Sequence, residues 1–307
     1  MVQNIFKRRP FLSFFVLSLV IILCAFWPFL SLEKLMLYKF PGDTIHYNWP
    51  FLYHFIEDIL KRGFSLWSFK VGLGVSSFSF VTALGMWDPF NVFFVLAGTE
   101  NIAYLYAYVF SFKIVVAGGF FYLYLHSLGI KKYPTLVASL LYAFSGVMLG
   151  LGQWVPNWAT IIVLLPLVLY AFERYLQNKN YLLFPLAIGL FNISTGSFFF
   201  LFQLTIFLTF YALYRYFQEN KFSRKTFLPF FLRISGLYLL GVGLTAFLTI
   251  PFLAFVLRSS RIAGVDSQAA KLLQAPIFAL NDLPIYISTT ARLFANDILG
   301  NLSLIHI

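Results

Sequence analysis

The 307-residue chain is 60% hydrophobic, 21% aromatic and only 11% charged. A soluble domain carries about 25% charged residues, so this composition excludes an ordinary soluble domain and predicts a protein embedded in a bilayer. The net charge of +11 does not indicate nucleic-acid binding, because the basic residues lie between long apolar segments. The single cysteine, Cys24, excludes an internal disulfide and a cysteine-based metal site.

Seven apolar windows of about 20 residues are predicted to cross the membrane as helices. They are residues 11–30, 102–128, 134–151, 155–172, 181–195, 196–217 and 230–257. The first window follows a basic N-terminus without a small-residue cleavage site, so we interpret it as an uncleaved anchor. The sequence therefore predicts an all-α, polytopic transmembrane helix bundle, with its transmembrane domain over residues 1–257.

The apolar segment 76–98 differs because the sequence WDPF at Trp87–Phe90 interrupts it. An aspartate followed by a proline would break a spanning helix and bury a charge. If this segment does not cross, 11 basic residues of the N-terminal tail and short loops lie on one side, and nine of the 11 acidic residues lie on the other. The positive-inside rule then predicts a cytoplasmic N-terminus and a re-entrant or surface-lying segment 76–98.

This topology predicts a large first extracytoplasmic loop over residues 31–101. Five titratable residues of this loop lie close together: Asp43, His46, His54, Glu57 and Asp58. Segment 49–61 has apolar residues at helical spacing beside a charged face, which predicts an amphipathic helix at the membrane surface. Because long loops are usually functional, we expect the chemistry of the protein in this loop.

The C-terminal part is predicted to begin a further extracytoplasmic segment, over residues 258–301. The last six residues, Leu302–Ile307, fit a transposon-end sequencing adapter when read back into codons. We therefore expect residues 302–307 to be a sequencing artefact and the natural chain to continue beyond Asn301.

Several segments, in order, resemble the YfhO family of bacterial membrane proteins. They are GDTIHYNWPF at 42–51, WSFKVGLG at 67–74, DPFN at 88–91, GQWVPNW at 152–158, LLPLVLYAFERYL at 164–176 and NISTGSFFFLFQLTIFLTFY at 192–211. The ordered set carries the resemblance, which covers nearly all of Met1–Asn301. The resemblance implies an architecture similar to the GT-C membrane glycosyltransferases, in chains that are longer and have more spans.

The resemblance also implies a function at the bacterial cytoplasmic membrane. GT-C enzymes take a sugar from a polyprenyl-phosphate carrier and attach it outside this membrane, and YfhO-like proteins are linked to envelope polymers such as lipoteichoic acid. We therefore expect a glycosyltransferase with a lipid-phosphate sugar donor and an envelope-polymer acceptor. A lipid-linked sugar transporter or flippase, and a non-catalytic scaffold for envelope assembly, remain the alternatives. No cofactor is certain, and a divalent metal ion stays open.

The catalytic role of Asp43 is implied by the resemblance, because GT-C enzymes carry an acidic residue in the first outer loop. Its place in PGDT also fits an ordinary turn aspartate. His46 follows three residues later, at a spacing that suits a shared metal or substrate contact as well as a loop histidine. Glu57 and Asp58 are candidates for catalysis or metal binding, and Glu57 also for substrate binding. The alternative is that the two acids form the solvated face of a surface helix.

Cations and aromatic residues complete the predicted site. Arg258 and Arg261 follow the last predicted span and are expected to bind the carrier phosphate. Gln153, Trp154 and Asn157 lie at an outer junction between spans, where they fit sugar binding or an interfacial aromatic belt.

Two further charged residues lie within apolar segments of the sequence. Asp88 is interpreted as a helix N-cap, with Pro89 at the first helical position. Lys113 is the only charge deep within a predicted span, and the sequence leaves function and structural pairing equally open. The predicted spans contain no acidic residue, which argues against ion-coupled transport.

Cysteine labelling tests the predicted topology. In a Cys24→Ser background, a cysteine at position 153 should react with an impermeant thiol reagent in whole cells. A cysteine at position 131 should not react, because Lys131 lies in a predicted cytoplasmic loop. Labelling of position 131 alone would contradict the seven-span topology.

Overall fold

A computed structural model describes most of the chain. The described residues are 10–37, 44–63, 65–70, 73–130, 132–154, 156–178, 180–196, 198–219, 222–259 and 283–294, with the single positions 262, 264, 267 and 270. Within these ranges, the side chains of residues 62, 151–154, 156, 178, 219 and 292–294 are not described. Residues 1–253 and 254–307 form two separate units.

The described chain is almost wholly helical, which confirms the predicted all-α class. Its helices, in order, are α1 (Pro10–Ala25), α2 (Trp27–Leu30), α3 (Trp49–Arg62), α4 (Ser77–Ala83), α5 (Asn91–Ala97), α6 (Ile102–Ser127), α7 (Tyr133–Ala143), α8 (Gly146–Trp154), α9 (Pro156–Asn178), α10 (Leu183–Thr195), α11 (Phe198–Glu219), α12 (Arg224–Leu244), α13 (Ala246–Leu257) and α14 (Leu283–Phe294). A π-helical turn at Thr44–Asn48 precedes α3, and a 3₁₀ turn at Thr99–Asn101 precedes α6. The strands β1 (Trp67–Ser68) and β2 (Val75–Ser76) form a short antiparallel hairpin.

Five helical segments are long and apolar enough to cross a membrane. They are Thr99–Ser127, Tyr133–Gly150, Asn157–Gln177, Phe198–Gln218 and Arg224–Leu244. Each coincides with one of the seven predicted spans. The first and fifth predicted spans correspond to the shorter apolar helices α1 and α10.

The predicted last span, 230–257, is interrupted rather than continuous. Helix α12 ends at Leu244, Thr245 is its C-cap residue, and α13 begins at Ala246. The Thr245 hydroxyl accepts a hydrogen bond from the Asn192 side-chain amide at 2.7 Å and donates to the Val242 carbonyl at 2.9 Å. Side-chain hydrogen bonds of this kind compete with the backbone ladder of a helix.

Segment 76–98 does not form a spanning helix. It contains the seven-residue helices α4 and α5, each about 10 Å long, whereas a bilayer core is about 30 Å thick. The WDPF sequence at Trp87–Phe90 lies in the turns between them. Its placement as a re-entrant or surface-lying segment stays a prediction.

The amphipathic helix expected at residues 49–61 is present as α3. Pro50 lies in its first turn, and Gly63, with a φ of +68°, follows its last residue. Leu52 and Ile56 are fully buried on one face, whereas Lys61 lies on the exposed face. Its apolar face therefore packs on the protein, and its position at the membrane surface stays a prediction.

Helix α9 is central to the transmembrane packing. It packs against both α6 and α10, and α10 in turn packs against α12. At the last contact, a Cβ atom added to Gly241 would lie 2.6 Å from the Pro185 carbonyl oxygen. A glycine at this position therefore lets the backbones of α10 and α12 approach closely.

Candidate functional site

A buried ion pair joins the first loop to the transmembrane helices. The Lys113 ammonium of α6 lies 2.7 Å from Asp88 Oδ2, and the two side chains are 2% and 0% exposed. Thr160 of α9 donates its hydroxyl to the same oxygen at 2.6 Å. The Phe90 backbone N–H donates to Asp88 Oδ1 at 3.0 Å, so both carboxylate oxygens are hydrogen-bonded.

This geometry corrects the interpretation of Asp88 as a helix N-cap. Helix α5 begins at Asn91, and Phe90 occupies its N-cap position. The Asp88 carboxylate instead accepts the Phe90 N–H locally and pairs with Lys113 across the fold. Of the two roles left open for Lys113, the structure shows the structural pairing.

Neighbouring contacts fix the same loop segment. Asn157 of α9 donates its side-chain amide to the Leu84 carbonyl at 3.1 Å, and Asn91 donates to the Met86 carbonyl at 3.0 Å. Gly196, after α10, has a φ of +59°, and a side chain there would overlap the Thr82 carbonyl oxygen. The segment from Thr82 to Asn91 is therefore held by several elements at once.

The start of the first loop is anchored as well. Tyr106 of α6 donates its hydroxyl to Asn48 Oδ1 at 2.7 Å, and both residues are buried. Thr44, at the start of the π-helical turn, is also fully buried, whereas His46 in the same turn is exposed. Asp43 lies outside the described residues.

The charged face of α3 forms a compact cluster with the β-hairpin. Glu57 pairs with Lys61 at 2.8 Å and with Lys70 at 2.9 Å. Lys70 also lies 3.8 Å from Asp58. His54 Nε2 lies 3.4 Å from Asp58 Oδ2. The cluster thus balances two carboxylates against two ammonium groups.

These ion pairs determine the protonation of Glu57. Hydrogen bonds from Lys61, and then from Lys70, lower the pKa of Glu57 from 4.5 to about 2. The carboxylate is therefore ionised at neutral pH and too weakly basic to act as an efficient general base. Its predicted role in substrate binding stays a prediction, and its two oxygens already bind lysines.

His54 and Ser68 do not form a nucleophilic triad with Asp58. The Ser68 hydroxyl lies 3.1 Å from His54 Nε2, the same nitrogen that faces Asp58. A triad requires the carboxylate and the nucleophile on opposite ring nitrogens. The arrangement therefore fits polar binding rather than acyl transfer.

The remaining predicted site residues belong to different elements, and one of them lies outside the described residues. Asn157 is buried and uses its amide within the protein. Gln153 and Trp154 lie in α8, where their side chains are not described. Arg258 is exposed directly after α13, in the second unit, and Arg261 lies outside the described residues.

The described part of the chain contains no cluster of metal-binding side chains. No group of three His, Cys, Asp or Glu residues in it could hold a metal ion. The possibility of a divalent metal near Asp43 and His46 therefore stays open.

The sequence interpretation missed a second ion pair, in which only the acidic partner is fully buried and Arg215 is 16% exposed. Glu173 of α9 is fully buried, 2.9 Å from Arg215 of α11. It also accepts a hydrogen bond from Tyr211 at 2.6 Å, and Tyr211 lies 3.0 Å from the Tyr124 hydroxyl. The candidate span Asn157–Gln177 includes this acid, so the expectation that no acidic residue lies within a span is wrong.

Comparison with known families agrees with this architecture. The family of bacterial membrane protein YfhO matches residues 6–306. The chain therefore belongs to the YfhO family, as its ordered motifs indicated. No curated protein and no solved structure matches the chain.

Removing one member of the buried Asp88–Lys113 pair should destabilise the protein strongly. Asp88→Asn is expected to cost ~3–5 kcal/mol of folding free energy, because Lys113 is left buried without its counter-charge. The double variant Asp88→Leu/Lys113→Met should recover at least half of this loss. Thermal unfolding in detergent measures both effects.

The matched control for that experiment is Glu100→Gln. Glu100 is an exposed acid near the end of the same loop, so this substitution should leave the unfolding temperature nearly unchanged. A wild-type unfolding temperature for Asp88→Asn would show that the ion pair does not hold the loop in place.

The Glu57 ion pairs should stabilise the protein independently of pH near neutrality. With a pKa of about 2 in the folded state and 4.5 as its ordinary value, the stabilisation is complete above 4.5 and is lost as the pH falls through about 2. The stability difference between wild type and Glu57→Gln should stay constant from about pH 8 to about pH 6 and shrink in acid. The test is to measure the unfolding of both proteins from neutral pH into acid. A stability difference that varies near neutrality contradicts the assignment of a low pKa to Glu57.

Proposed function

We propose that the protein is a membrane glycosyltransferase of GT-C-like architecture. It transfers a sugar from a polyprenyl-phosphate carrier to an envelope polymer, such as lipoteichoic acid, on the outer face of the bacterial cytoplasmic membrane. Its N-terminus is cytoplasmic in this proposal, which follows the positive-inside rule. Membership of the YfhO family and the multi-helix membrane architecture support this assignment.

The observation that carries the proposal is the anchoring of the first loop to the transmembrane helices. The Tyr106–Asn48 hydrogen bond and the Lys113–Asp88 pair tie two parts of the loop to α6. Glycosyl transfer requires its reacting groups to be held within a fraction of an ångström of a productive geometry. A loop fixed in this way is suited to present a catalytic side chain to a lipid-borne sugar.

In this proposal Asp43 is the general base that deprotonates the acceptor hydroxyl. Asp43 immediately precedes the buried Thr44 and the anchored π-helical turn, so the chain beside it is fixed. Arg258 and Arg261 bind the carrier phosphate. His46, Glu57, Gln153, Trp154 and Asn157 are the further candidates for substrate contact.

The test of the proposed function is Asp43→Asn. This substitution is nearly isosteric and removes only the charge and basicity of the side chain. General-base assistance contributes roughly 10²–10⁴ in rate, so the variant should accumulate normally in the membrane but fail to glycosylate envelope polymer. The measurement is the sugar content of the purified polymer from cells that produce the variant in place of the wild type.

Two comparisons make this test decisive. Asp43→Glu keeps a carboxylate and should retain part of the activity. If the role of Asp43 were purely structural, Asp43→Glu would be no more active than Asp43→Asn. Normal decoration by Asp43→Asn at equal protein level would show that Asp43 is only a turn residue. Loss of translocation of the lipid-linked sugar, with sugar transfer intact in isolated membranes, would instead support the flippase alternative.

A further inference from the structure

A cleft in the first loop lies between α3, the hairpin and α4. Helix α3 contributes His54 and Asp58 to it, and the hairpin contributes Ser68. Apolar side chains form most of the remaining wall, among them Phe51, Phe55, Val75, Phe80, Val81 and Leu84. An apolar wall with a few convergent polar groups is typical of small-molecule sites.

The hydroxyl group of Ser77 gives an independent indication of a ligand. Ser77 lines the cleft and is only 7% exposed. Its Oγ is buried and has no hydrogen-bond partner among the described residues. A buried hydroxyl without a partner is costly, so such groups normally bind a water molecule or a ligand.

The charge balance restricts the chemistry of this ligand. Asp58 and Glu57 are offset by Lys70 and Lys61, and both lysines are paired with carboxylates. No cation therefore remains at the cleft, within the described residues, to select a phosphate, and no unpaired carboxylate remains to select a cation. A neutral ligand that both donates and accepts hydrogen bonds fits this environment best.

We propose that this cleft is a sugar subsite that receives a hydroxyl or hydroxymethyl group of an uncharged sugar. Its enclosed volume is about 20 Å³, which admits one such group but not a sugar ring. The inserted hydroxyl donates to the Asp58 carboxylate and accepts from Ser77, while the ring remains at the mouth. The inference rests on the proposed function, since it assigns part of the sugar to this loop.

Ser77→Ala tests the subsite with glucose, galactose and N-acetylglucosamine as probes. Saturation-transfer NMR on the detergent-solubilised protein measures their binding. Loss of one hydrogen bond should weaken binding of at least one sugar by roughly 3- to 10-fold. The unfolding temperature without sugar should not fall, because the substitution removes a buried group that has no partner.

Ser111→Ala is the matched control. Ser111 is also buried, with an unpartnered hydroxyl within the described residues, but it lies in α6 and does not line the cleft. This variant should bind sugars as the wild type does. The single variant Asp58→Asn should weaken sugar binding, as Ser77→Ala does.

Failure of the subsite and failure of the proposed function are distinguishable. If no sugar binds the wild type, or if Ser77→Ala binds as tightly as the wild type, the cleft holds only water and the subsite is wrong. That result leaves the Asp43 experiment unaffected. If sugars bind as predicted but Asp43→Asn still decorates the polymer, the subsite stands and the transferase proposal fails.

Discussion

The buried pair of Asp88 and Lys113 constrains the whole first loop. Two charges removed from water are tolerated only when they meet each other and their other hydrogen-bonding capacity is filled. Thr160 and the Phe90 N–H complete the environment of the carboxylate. Asp88 lies in the loop, Lys113 on α6 and Thr160 on α9. Any shift of the loop along these helices would therefore leave a charge unpaired. The pair therefore fixes one register for the loop.

Some acidic residues of the first loop form structural ion pairs. Asp88 is paired with Lys113, and Glu57 is paired with Lys61 and Lys70. The two lysines lower the pKa of Glu57 and make its carboxylate a poor proton acceptor. A general base in this loop is better sought at Asp43, next to the anchored turn, than on the charged face of α3.

The sequence predicted features that depend on local patterns, and missed those that depend on distant partners. Apolar length located the five long spans, and helical spacing located α3. The pairing of Glu173 with Arg215 joins residues 42 positions apart, which periodicity does not detect. The predicted span also ended at the first charged residue, so it excluded Glu173. The break at Thr245 coincides with a hydrogen bond from Asn192 of another helix, which the apolar window does not reveal.

Helix α9 contacts both ion pairs, because Thr160 hydrogen-bonds Asp88 and Glu173 pairs with Arg215. These contacts bear on the choice between enzyme and transporter. Thr160 and Glu173 are 13 residues apart on this helix, or about 20 Å. Contacts at two such points constrain both the rotation and the height of α9 against the loop and α11. A transporter that rocks α9 against α11 would have to separate Glu173 from Arg215, and movement of α9 away from the loop would break the hydrogen bond from Thr160 to Asp88. The proposed transferase does not require these helices to move apart, whereas a transporter that works by rocking α9 does.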